Sequence, residues 1–412
     1  MLDRYADLLV RVGVNLQPGQ ALVIGQPGMS TVEIADFVRR LARKGWGAGA
    51  SDVHVPWGDG EISRLRLQYA SDEVLTSVPP WVVQQLTQLA DEGAAFLVPA
   101  TQDPGLFDGV DPTRLSASRK ASSVATQHFR EKLERGQIAW SIGAVPTLEW
   151  ARQVFPELDG AQALQRLWSY IFQVMRLDTP DSVASWKAHV ADLTARMNAL
   201  NVAHFTRLHY RAPGTDLTIA LPRRHVWLGG GETSERGVYF LPNMPTEEVF
   251  TLPQRDGVNG VVRATLPLTV GGVLIEDFSL RFERGRIVDF SAATGYDVLK
   301  SVIETDDGSH YLGEVALVPQ SSPCNIGRPL FHTLLDENAA CHLAIGMAYP
   351  ISLEGGGAMT AEQLAAEGAN ASHAHVDFMV GSAQLDIDGE TTSGERVAVM
   401  RGGMWASTSG TP

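Results

Sequence analysis

An α/β amino-terminal domain followed by an α+β carboxy-terminal domain is the architecture that this 412-residue sequence predicts. Three observations lead there. The length calls for more than one core, since domains usually run to about 100–200 residues. Up to about residue 200, helical stretches alternate with short apolar runs, the rhythm of a largely parallel sheet covered by helices. Beyond that point, short alternating runs broken by Gly and Pro read as antiparallel strands. The expected domains are therefore 1–200 and 201–412.

In the first half, an amphipathic helix near 2–13 precedes the strand "ALVIG". Ser30 and Glu33 have the spacing of a capping box, which predicts a helix running to about Lys44 and ending at Gly45. "GAGASDVHV", "AAFLVPA" and "QIAWSIGA" supply further strands. A helix over 181–200 carries Trp186, Val190, Leu193, Met197 and Leu200 on one stripe, which predicts core packing. In the second half, "RFERGRIVDF" predicts a hairpin turning at Arg284 and Gly285. The glycine run at 229–231 and "EGGGAM" at 354–359 lack the strand, spacing and Lys of a phosphate loop and read as turns.

A formal net charge of −14 without a Lys/Arg cluster excludes nucleic acid and anionic membrane as partners. No apolar run reaches the roughly 18–20 residues of a membrane span, and the start does not read as a signal peptide. With Cys324 and Cys341 as its only cysteines, the chain fits a reducing cytoplasm.

Four clusters in the second half could carry chemistry. In "NMPTEEVFT", Glu247 and Glu248 precede Val249 and Phe250, so at least one carboxylate is drawn inward and needs a partner or a cation. Glu314 opens the buried-strand pattern "EVALVP", where a salt bridge and a metal explain it equally well. "LLDENAACHLAIGMAYP" reads as a helix capped by Asp336, with His342 and Tyr349 seven apart on one face and Cys341 turned away. "SHAHVDFMVG" reads as a strand with His373, His375 and Asp377 on one face, against Ala374, Val376 and Phe378 behind. Carboxylates and imidazoles without thiolates suit Zn²⁺, Co²⁺ or Mn²⁺, and three carboxylates with two imidazoles suffice for two ions sharing a bridge.

The ordered series "NMPTEEVFT", "LGEVALVP", "DENAACHLAIG" with its following "AY", and "HVDFMVGS" resembles the aminopeptidase T and aminopeptidase S family of dinuclear metallo-aminopeptidases. The likeness covers the whole second domain. It implies that Glu248, Glu314, His342, His375 and Asp377 hold two divalent ions. It also places Tyr349 at the metal site, as a ligand or as a stabiliser of the developing oxyanion. Glu247 is then the candidate general base if the backbone after Pro245 turns it towards the site, with Glu337 as the alternative carboxylate; facing away, it would form a salt bridge or meet solvent. His373 falls outside the family pattern. The resemblance further implies a cytoplasmic homodimer that removes N-terminal residues from peptides with a free N-terminus, through a metal-activated water. Two rivals remain: another dinuclear metal amidohydrolase, suggested by the His-x-His pattern, and a non-catalytic metal- or peptide-binding protein of the same fold.

Overall fold

The computed structural model describes all residues except 27, 28, 104, 271, 272 and 407–412. The chain divides into two compact units, Met1–Lys187 with Gly231–Pro245, and Ala188–Gly230 with Thr246–Pro412. The units are interleaved along the chain, where the sequence suggested a single cut at residue 200. The cause is local: the two-residue strand Asn243–Met244 pairs with Trp140–Ala144 and joins the first unit's sheet.

That sheet has five parallel strands in the order Asn243–Met244, Trp140–Ala144, Ala95–Ala100, Leu22–Ile24, Val53–His54. Leu22–Ile24 and most of Ala95–Ala100 are buried throughout, as strands covered on both faces must be. The helix expected after Ser30 begins later, at Ala35, and continues to Gly47. The capping box does not form. Ser30 Oγ instead accepts from the Gly60 N–H at 3.2 Å. Gly45 lies inside the helix, where a Cβ would come within 2.6 Å of the Leu22 side chain, so it serves helix–strand packing. The first helix runs Leu2–Leu8 and continues as a π-turn over Leu9–Gly13. The predicted stripe lies on Ser182–Ala203, with Trp186, Leu193 and Leu200 buried and Val190 and Met197 half-buried.

The second unit contains two large antiparallel sheets besides the two-stranded pair Leu268–Val270 and Val273–Ile275. One has eight strands, among them the hairpin Ser279–Glu283 and Arg286–Ser291. Its turn uses Arg284 at φ 48° and Gly285 at φ 80°, two left-handed residues in succession that match the strand twist. The other sheet has five strands in the order His375–Met379, His342–Gly346, Leu312–Leu317, Val249–Thr251, Leu228–Gly229. Val249, Val315, Leu317, Leu343, Ile345 and Phe378 on its back belong to the unit's main apolar core.

The helix expected over 334–350 is not formed. A short helix Thr333–Glu337 ends before the strand His342–Gly346. Asp336 holds the preceding turn, accepting from the Leu330 N–H at 2.7 Å and the His332 N–H at 3.0 Å. The small and apolar residues there are compatible with either structure, and pairing on both sides decides for the strand. His375 lies on an antiparallel strand rather than an early strand of a parallel barrel, which removes the basis of the His-x-His rival. No helix among the described residues is long and apolar enough to cross a membrane.

Gly285→Ala tests the hairpin. A Cβ there would meet Arg255 O at 1.8 Å, in a conformation L-residues avoid. Denaturant unfolding should show a loss of about 2 kcal/mol or more; an unchanged midpoint would contradict the turn.

Candidate metal centre

The five-stranded antiparallel sheet builds the site by register. Glu314 and Asp377 both pair with Ala344, one from each side, so their side chains share one face. Two residues along the strand that Glu314 and Asp377 flank, His342 returns to that face; two residues along the outer strand, so does His375. On the other side Phe250 pairs with Ala316, and Glu248, two residues earlier, follows the same alternation. The back of the sheet is apolar core, so register and burial together fix which side the polar groups occupy.

The resulting distances are short. His342 Nε2 lies 3.1 Å from Glu248 Oε2 and 3.3 Å from Glu314 Oε1. His375 Nε2 lies 3.6 Å from Glu314 Oε2 and 3.4 Å from Asp377 Oδ1. Two triads result, Glu248–Glu314–His342 and Glu314–His375–Asp377, each offering one donor atom per residue within 4.8 Å of the others. Glu314 belongs to both. Glu248, Glu314, His342 and Asp377 are buried and His375 is half-buried.

Both imidazoles face the cluster with Nε2, because Nδ1 is committed to backbone. His342 Nδ1 lies 3.2 Å from Ala340 O, and His375 Nδ1 lies 2.8 Å from Met347 O. A carbonyl only accepts, so Nδ1 carries the hydrogen and the neutral ring turns the Nε2 lone pair towards carboxylates. Lone pairs facing acceptor-only oxygens repel unless positive charge lies between them. With its Nδ1 so committed, the neutral His342 ring has no hydrogen to give Glu248 Oε2, 3.1 Å from its Nε2. These residues therefore fit a divalent cation.

The chain's own charges respond accordingly. Burial pushes Glu314 up, opposed by hydrogen bonding to His342, with Asp377 and Glu248 adding to the rise. Burial lowers the affinity of the His342 ring for a proton, but Glu248 and Glu314 outweigh it and hold its pKa well above the usual value. His375 is pushed up to about 9, burial being overcome chiefly by Asp377. Burial would raise Asp377, but the His375 charge brings it below the ordinary range. The proton on each ring plays the part that a cation can take.

Of the other expected residues, Glu247 is buried, and its carboxylate Oε2 lies 3.4 Å from His189 Nε2. Tyr349 lies beyond the end of the His342 strand, and its ring centroid is 5.0 Å from that of His375. Tyr349 therefore reaches the site through a turn after the strand and not by sharing a helix face with His342. His373 is exposed and outside both triads. Cys341 faces the core against Val318 and Met400. Glu337 is pushed well above the usual carboxylate range by burial, then by the charges of Asp377 and Glu248, which puts it electrically among the cluster. Sequence reasoning missed His189 and Asn338, whose side chains flank Glu247. His189 stands in no recognisable motif, and Asn338, inside "DENAACHLAIG", was not singled out there.

Comparison with known proteins gives a consistent result. The sequence model of the thermophilic metalloprotease (M29) family matches residues 1–405. Aminopeptidase AmpS of Bacillus subtilis is 45% identical over 406 residues, covering 98% of each chain. Aminopeptidase T of Thermus thermophilus is 42% identical over 405 residues, again covering 98% of each. The solved structure of wild-type AmpT from Thermus thermophilus superposes with a TM-score of 0.91 at 41% identity, covering 98% of both chains.

If the cluster is a metal centre, Zn²⁺ added to chelator-treated protein should raise its melting temperature, because a ligand at a hundredfold its Kd stabilises by about 2.7 kcal/mol. Glu314→Ala should abolish most of that rise and His373→Ala should leave it intact. An undiminished rise in Glu314→Ala would contradict the site.

Proposed function

The chain belongs to the M29 family of thermophilic metalloproteases and is a metal-dependent peptide-bond hydrolase, and we propose that it acts as an aminopeptidase with a dinuclear centre. The proposed ligands are Glu248, Glu314, His342, His375 and Asp377. The observation that carries this reading is the pair of triads sharing Glu314, whose two oxygens face different imidazoles. Zn²⁺, Co²⁺ and Mn²⁺ all suit this oxygen and imidazole set. All five residues come from the second unit, which we take as the catalytic domain. A homodimer working in the cytoplasm completes the proposal, on the strength of the family resemblance and of two free cysteines.

When bound, the ions polarise the scissile carbonyl and lower the pKa of water at the site. With the carboxylates committed to the ions, the lone pair of a free α-amine could bind at the occupied site, whereas an acetylated nitrogen offers none. That favours a substrate held by its N-terminus. Glu247 is assigned the proton transfer, taking a proton from the attacking water and delivering it to the leaving nitrogen, a step a poor leaving amine requires. Tyr349 is assigned to the carbonyl oxygen, where a phenolic O–H can donate to the charge that develops. Its ring orientation is supported by packing on both His375 and Phe250.

Hydrolysis of an unblocked leucyl substrate with Co²⁺ or Zn²⁺ tests the activity directly, and the same peptide acetylated at its N-terminus should survive. Efficient internal cleavage of the blocked peptide would refute the exopeptidase reading. Glu247→Gln should lower kcat by roughly 10²-fold or more with the metals retained. Glu248→Gln should instead lose metal affinity and recover partly at high metal concentration.

A further inference from the structure

Glu247 is held from two sides. His189, on the helix Ser182–Ala203, brings Nε2 to 2.7 Å from Thr246 O. A carbonyl oxygen can only accept, so this nitrogen carries the hydrogen. The same nitrogen lies 3.4 Å from Glu247 Oε2. Across the segment, Asn338 Oδ1 accepts the Glu247 backbone N–H at 2.6 Å, while the Asn338 amide donates to Leu334 O at 2.8 Å. Val249, two residues on, is already fixed between Gly229 and Leu317 in the sheet.

A glutamate that must meet a water in one geometry loses rate for each rotamer that points elsewhere. Backbone anchoring does not by itself select a side-chain rotamer. We propose that His189 is a positioning residue for Glu247: its Nε2–H, anchored on Thr246 O, holds one carboxylate oxygen so that the other is presented for proton transfer. This rests on Glu247 being the general base. Asn338 fixes the backbone and His189 the carboxylate, so the two constraints are complementary. Residue 189 lies next to the apolar stripe position Val190, which ties the ring's location to packing of the helix.

The test is a double-mutant cycle with a spectroscopic arm. His189→Ala should lower kcat about tenfold, with KM and metal content unchanged. In a Glu247→Gln background the same substitution should cost less than twofold, since the group being positioned is gone. A tether that merely stabilises the helix would instead give a loss that multiplies in full with that of Glu247→Gln, and that result would overturn the proposal. Nitrogen-15 NMR of metal-free protein reads the contact without activity and without altering His189. The ring should show Nε2 protonated, and its resonance should move in Glu247→Gln; an unmoved resonance would overturn the contact even if His189→Ala fails to fold. Wild-type kcat in Glu247→Gln sinks the base assignment itself. An impaired Glu247→Gln beside an unimpaired His189→Ala sinks only the role of His189.

Discussion

Glu248, Glu314 and Asp377 are brought by three strands, with His342 and His375 between them, onto one buried face of a sheet. So many acceptor oxygens cannot share a dry space without positive charge. The two rings supply some, because both are pushed towards protonation by the carboxylates around them. Yet each ring's Nδ1 is tied to a backbone carbonyl, which leaves Nε2 as the one atom directed at the carboxylates. A divalent cation in place of such an Nε2 proton would supply more positive charge to the same carboxylates without moving the scaffold. The surrounding apolar core serves this arrangement by fixing the register on which every distance depends.

Glu314 is the centre of the arrangement. It lies on the middle strand of the three, so one oxygen reaches His342 and the other His375. Its neighbours in the strand, Val315 and Leu317, anchor the back of the sheet in the core. A carboxylate in this place gains two partners from one backbone position, and this economy is what a bridging ligand requires.

Much of this was legible in the sequence. The alternation around His375 and Asp377 is the period of a strand, and Val376 and Phe378 on the other face made its orientation readable. The parallel first sheet announced itself through apolar runs such as "AFLVPA". His342 was placed at the site although its segment was misread as a helix, because "NAACHLAIG" has small residues tolerant of either form and only its neighbours on both sides select the strand. The interleaving of the units turned on strands two residues long, too short to leave a pattern. His189 was invisible for another reason: its partner Glu247 is 58 residues away, and no local spacing records a contact made by tertiary packing.

The likeness to named aminopeptidases establishes the family, while the number of ions rests on the shared position of Glu314. The most direct measurement is therefore metal stoichiometry by elemental analysis, paired with anomalous diffraction from metal-loaded crystals. The account predicts two ions per chain, each within bonding distance of a different oxygen of Glu314. One ion or fewer at full activity, or two ions with Glu314 touching only one, would contradict it.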